Sequence, residues 1–286
     1  MQKLRGIRLH LIQGFFLLLA MVLLWPMIQT FLYSFSSIPE MKIFMKARGS
    51  YDESKWMETH LIPNMVSLGQ YHQILITDNT VLRLFVNSAM YATLILLGQT
   101  VFVPSLAFGL SRFRFPGKNG IFFGIIVLML LPFQVTMVPN VLTLRSLGLM
   151  DTLWAVVLPM WFAPFYIFLV RQFMVGLPNE LIEAAEMDGA GTFSVYTRII
   201  LPVCRPILGA AAALSFAESW NLVEQPLTYL SSRQDLQPLS TMFNQLASEN
   251  TGFEFAGAAL YILPALFVYL FFQEDILSGI QLTELK

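Results

Sequence analysis

Six stretches of this chain run for about the twenty residues a helix needs to cross a bilayer with no Asp, Glu, Lys or Arg, or with only one. They are Leu9–Pro39, Leu84–Ser111, Asn119–Leu144, Thr152–Val170, Pro206–Val223, which contains Glu218, and Phe255–Gln273. They are continuously apolar, whereas barrel strands alternate over roughly ten residues. Charged residues make up 12% of the 286 and hydrophobic ones 56%, too few charges to cover a water-facing surface. The expected fold is all-α, an integral membrane bundle of six transmembrane helices in a single transmembrane domain over 1–286. Its parts are an N-terminal anchor helix at 9–36, an outside loop at 37–83, core spans at 84–273 and a tail at 274–286. With 17 basic and 18 acidic residues the net charge is -1, which argues against nucleic acid as a partner and leaves membrane lipid. One cysteine, Cys204, excludes an intrachain disulfide and a cysteine-clustered metal site.

The first window follows Lys3, Arg5 and Arg8 but lacks a small-residue cleavage site, so it reads as an uncleaved anchor. With the N-terminus inside, Arg112, Arg114, Lys118, Arg171, Arg198, Arg205 and Lys286 also fall inside. Short outside loops then hold only Arg145 and Arg233, as the positive-inside rule requires. Both termini are expected on the cytoplasmic side. The long outside loop carries Asp52 and the aromatics Tyr51, Trp56 and Tyr71, which suit a docking surface or a self-packed cap.

The inside loop over 172–206 is patterned. Leu177-Pro178-Asn179-Glu180 opens a helix, with proline in the first turn and an acid at the positive end of the dipole. Leu181, Ala184, Ala185 and Asp188 follow at spacings of three and four, and the paired alanines leave room for close approach. Gly189 can end this helix in a left-handed conformation. A second short helix is expected from Thr192, with Phe193, Tyr196, Ile199 and Ile200 apolar. Pro202 and Pro206 then punctuate the way into the fifth span. Such a pair could lie on lipid headgroups or dock another protein. Its acidic character favours docking.

Glu183-Ala184-Ala185, three residues, Gly189, nine residues, Ile199, one residue and Leu201-Pro202 resembles the EAA loop of ABC-importer permeases. Leu131-Pro132-Phe133-Gln134, Ser146-Leu147-Gly148-Leu149, Asp188-Gly189-Ala190 and Ser219-Trp220-Asn221 are similar to the carbohydrate subfamily of maltose-type, MalG-like permeases. The resemblance covers about residues 84–273. It implies a transmembrane subunit of an ATP-driven importer for a sugar, oligosaccharide or polysaccharide. The implied partners are a second homologous permease, two ATP-binding subunits and an external solute-binding protein. It also implies ATPase coupling through Glu183, Ala184, Ala185, Asp188 and Gly189. The tail after Gln273 is more acidic than the family pattern.

No G-x-x-x-x-G-K-[ST] loop is present, so ATP hydrolysis is expected on another chain. His10, His60 and His72 have no metal-ligand spacing, no nucleophile elbow occurs, and no cofactor is expected. Glu218 is the one acid well inside a span, where a charge normally faces protein or water. Gln134, Glu218, Trp220 and Asn221 are therefore candidates for a translocation path, with amide and carboxyl groups for hydroxyls and an aromatic face for sugar. Asn87, Gln99 and Asn140 read more readily as interhelical hydrogen bonds. An ion-coupled secondary transporter built on Glu218, or a membrane scaffold, would leave the patterned loop unexplained.

Overall fold

The computed structural model describes residues 2–49, 62–77, 79–241 and 253–284. These are helical throughout, apart from loops and one isolated antiparallel bridge between Ser36 and Val66. The chain divides into two compact units, Met1–Arg83 with Met242–Leu263, and Leu84–Thr241 with Pro264–Lys286.

In the first unit, α1 (Gln2–Ser34) leads through a short link into α2 (Ile38–Gly49). From Ile12 to Ile28 the side chains of α1, Phe15, Leu18 and Leu23 among them, are exposed within the chain, whereas Tyr33 and Ser34 at its end are buried. A helical stretch apolar on every side and uncovered by its own chain belongs in lipid or against another protein. The stretch after residue 61 is tied back by Gln70, which is fully buried at the start of α3 (Gly69–His72). Its amide donates to the Tyr33 and Ser36 carbonyls at 2.7 and 2.9 Å and accepts from the Ala256 N–H at 3.2 Å. Tyr71 donates to Ser34 Oγ at 2.7 Å. This stretch is self-packed. Tyr51, Asp52, Trp56 and His60 lie outside the described residues.

The second unit carries α4 (Asn79–Arg112), α5 (Lys118–Leu130), α6 (Phe133–Ser146), α7 (Leu153–Trp161) and α8 (Pro164–Val175). After these come α9 (Glu180–Met187), α10 (Thr192–Val195), α11 (Leu201–Val203), α12 (Arg205–Trp220) and α13 (Glu224–Tyr229). The last helix, α14, runs from Glu254 to Glu284. Among the described residues, four helical stretches are long and apolar enough to span a membrane: Ile12–Ser34, Asn79–Arg112, Leu153–Val175 and Glu254–Asp275. Two bent pairs make up to six: α5 with α6, turned by 110°, and Thr192–Val203 with α12, turned by 73°.

The third window is therefore not one straight helix. Pro132 sits at the bend with extended backbone, φ -67° and ψ 151°, and has no N–H to continue the ladder. Pro164 likewise opens α8 after a short break, whereas Pro139 and Pro159 lie inside helices. Trp161 Nε1 donates to the Leu94 carbonyl at 3.0 Å, and its ring fills the space a side chain at Gly98 would need. Gln99 joins three elements: its amide donates to the Met160 carbonyl at 2.7 Å and accepts from Ser215. Asn87 donates to the carbonyls of Asp235 and Gln237 at 2.8 and 2.9 Å, and Tyr91 to that of Leu236 at 3.0 Å. Asn87 and Gln99 are thus structural links between segments.

Candidate functional site

The patterned loop forms a hairpin built on α9 and α10. Leu177 precedes Pro178, which disfavours helical backbone there and ends α8. Helix α9 then starts with Glu180 and Glu183 in its first turn, where the dipole stabilises negative charge. It is shorter than the expected 178–188 and spans Glu180–Met187.

The two alanines do not act together. Neighbouring residues on a helix stand about 100° apart, and here Ala185 points inward while Ala184 is exposed. Ala185, 9% exposed, belongs to the core formed with Phe108 of α4, Val170 and Met174 of α8 and Ile207 of α12. Glu183, Ala184 and Met187 are exposed, with Met187 88% exposed, and so are Leu181 and Asp188, which flank Ala185 one turn before and after it. Phe193 adds a ring that is 78% exposed. A hairpin that seats one face in its own bundle and leaves Leu181, Met187 and Phe193 bare presents a surface suited to a protein partner.

Gly189 has φ +79°, the left-handed conformation expected of it. Its N–H bonds the Glu186 carbonyl at 3.0 Å, and the Ala190 N–H bonds the Ala185 carbonyl at 2.9 Å. That pair of bonds is a Schellman cap, which closes α9 and turns the chain back. Open space surrounds the position where a Cβ would sit, so glycine is needed for its backbone angle and not for room.

The return limb departs from the expected plain helix. After α10 a wide π turn runs from Tyr196 to Ile200, just before Pro202, whose ring does not fit beneath a regular helical carbonyl. Pro202 lies inside α11, and the 73° bend falls at Cys204, which is fully buried in the core.

A second group of polar residues lines α12 and its neighbours. Glu218 is exposed on one edge and accepts a hydrogen bond from Tyr166 Oη at 2.9 Å. Asn221, one turn on, is exposed as well. Gln134, just after the break between α5 and α6, donates to Glu224 Oε1 at 2.8 Å. Glu224 was missed in the sequence because it lies past the end of the apolar window. Trp220 differs from the expected sugar platform: its ring is 1% exposed, stacked on Phe216 at 5.6 Å and meeting Phe85 edge-on at 5.4 Å. It supports α12 from behind. Among the described residues no group of three or more His, Cys, Asp or Glu is placed to hold a metal.

Such a site defines a class: a helical membrane protein with a surface hairpin rigidly seated on its spans and a polar edge along one of them. The family model for the binding-protein-dependent transport system inner membrane component matches residues 100–274. The chain belongs to that family, the membrane subunits of binding-protein-dependent importers. It is 28% identical over 226 residues to the arabinooligosaccharides transport system permease protein AraQ of Bacillus subtilis (strain 168), covering 78% of this chain and 80% of that one. It is 27% identical over 295 residues to the polygalacturonan/rhamnogalacturonan transport system permease protein YtcP of the same organism, covering 96% and 97%. A crystal structure of a bacterial ABC transporter involved in the import of the acidic polysaccharide alginate contains a chain of the same fold. Its TM-score is 0.77 at 22% identity, covering 95% of this chain and 96% of that one.

Proposed function

We propose that this chain forms half of the path for a sugar or oligosaccharide in an ATP-driven importer of the cytoplasmic membrane, beside a second homologous permease. Of two separate ATP-binding subunits, one would dock on this hairpin, and an external solute-binding protein would deliver the solute. The observation that carries this reading is the two-faced hairpin, whose inner face is locked into the bundle by Ala185 while Leu181, Ala184 and Met187 stand bare. A rigid helix seated on the spans passes on a rigid-body movement that a floppy loop would absorb. Glu183 would face a basic group of the ATPase, and Asp188 with Gly189 would set the turn. Relatives named for arabinooligosaccharides and for polygalacturonan/rhamnogalacturonan support a carbohydrate. Gln134, Glu218 and Asn221, now with Glu224, supply the hydroxyl-binding groups. The hairpin and both termini lie on the cytoplasmic side in this reading, and Asp52 and Trp56 reach the binding protein outside. Uptake of labelled oligosaccharide by proteoliposomes holding the complex copurified through this chain tests it. Glu183→Ala should leave ATP hydrolysis running while uptake falls by about tenfold, on the order of a typical coupling energy. Uptake by this chain alone under a proton gradient, without ATP, would favour a secondary transporter instead.

A further inference from the structure

The hairpin is held at both ends by one stripe of α4. Ser105, Phe108 and Arg112 stand at spacings of three and four, on the same face of that helix. At the beginning of the hairpin the Arg112 guanidinium donates through Nη1 to Asn179 Oδ1 at 2.6 Å, and through Nη2 to the Met174 and Leu177 carbonyls at 2.5 and 3.1 Å. At its return, Ser105 Oγ and Tyr196 Oη lie 3.1 Å apart, and the Phe108 and Tyr196 rings are 4.9 Å apart.

Asn179 occupies the position from which an asparagine normally caps the following helix with its own side chain. Here it makes no such cap, and its carboxamide oxygen is turned to Arg112. The Asn179 carbonyl meanwhile accepts from the Ile182 and Glu183 N–H groups at 2.9 and 3.0 Å. One residue therefore joins the first turn of α9 to the end of α4 through Arg112. The planar guanidinium reaches three acceptors on two segments in a fixed fork, which an ammonium cannot match.

We propose that Arg112 is a positioning residue for energy coupling: by tying the Met174 and Leu177 carbonyls at the end of α8 and the capping residue Asn179 of α9 to α4, it makes α4 move with the hairpin. The hairpin is continuous with α12 through α11, so α12 would follow it in any case. Arg112 adds α4 as a second transmitted span. This rests on the coupling reading above.

The test uses the complex copurified through this chain in nanodiscs, with Cys204→Ala and the reporter Asn221→Cys, and needs no knowledge of the solute. ATP hydrolysis is measured beside the ATP-dependent change in reporter reactivity toward a water-soluble thiol reagent. Arg112→Ala should cut that change by about fivefold or more, the lower end of typical coupling, with hydrolysis held within about twofold. Arg112→Lys should restore part of it and Arg112→Gln none. Asn179→Ala removes a single acceptor at an exposed position, and should give a smaller loss in the same direction if Arg112→Ala fails to assemble. A full ATP-dependent change in both Arg112→Ala and Asn179→Ala, or in Asn179→Ala when only that variant assembles, overturns the proposal. If Gly189→Val is also indifferent, or the unmutated reporter ignores ATP, the coupling reading fails with it. If Gly189→Val uncouples and the Arg112 and Asn179 variants do not, only the role of Arg112 is lost.

Discussion

Single residues do different work here from what their types suggest. Gly189 needs a left-handed backbone and has free space around it. Valine there should cost about 1–2 kcal/mol from the backbone alone, whereas asparagine, which tolerates that conformation, should be mild. Assembly of each variant with its ATPase, measured by copurification, should follow that order. Gly98 is the opposite case. A Cβ at that position would collide with the Trp161 ring at Nε1, so Gly98→Ala should destabilise by about 1–3 kcal/mol through overpacking. A lower thermal midpoint of the purified complex, largely recovered by adding Trp161→Leu, would bear this out. An unchanged midpoint would mean that the ring moves aside freely. Gly189 was legible in the sequence because its spacing and the helix pattern before it both asked for a turn. Gly98 was not, because nothing local marks the approach of a ring sixty residues away. Arg112 counted in the sequence only as an orientation charge, since its acceptors are backbone carbonyls with no signature.

At the scale of elements, the helix count was readable, and prolines mark bends: Pro132 and Pro164 stand at breaks, Pro139 and Pro159 inside helices, but the size of a bend was not readable. Charge-free windows report solvation, and solvation does not distinguish a straight span from one turned by 110° at Pro132. The paired alanines were read as one patch, although helical geometry sets Ala184 and Ala185 on different sides. On α12 the same periodicity sorts the path candidates. Glu218→Cys and Asn221→Cys should react with a water-soluble thiol reagent, while Trp220→Cys stays protected. Strong labelling at 220 would show that α12 turns during transport. On α4, Asn87→Leu would remove the part-buried hydrogen bonds that its amide donates to the Asp235 and Gln237 carbonyls. A loss of about 1–3 kcal/mol is expected, read as earlier thermal unfolding with the hairpin's assembly intact.

Across the whole molecule, the family match places the chain among importer membrane subunits, and the described geometry shows how such a subunit can be driven from outside itself. Its sequence holds no G-x-x-x-x-G-K-[ST] loop, and in the proposed function movement enters through a surface. The hairpin offers that surface with its inner face already committed to the bundle. The central claim is that the outer face, and only that face, meets the ATPase. The direct measurement is site-specific crosslinking in the copurified complex, with a photoreactive or thiol-linked probe placed singly at Leu181, Ala184, Ala185 or Met187. Probes at 181, 184 and 187 should capture the ATP-binding subunit and the probe at 185 should not. Capture from 185, or none from 181 and 187 in an assembled, hydrolysing complex, would contradict it.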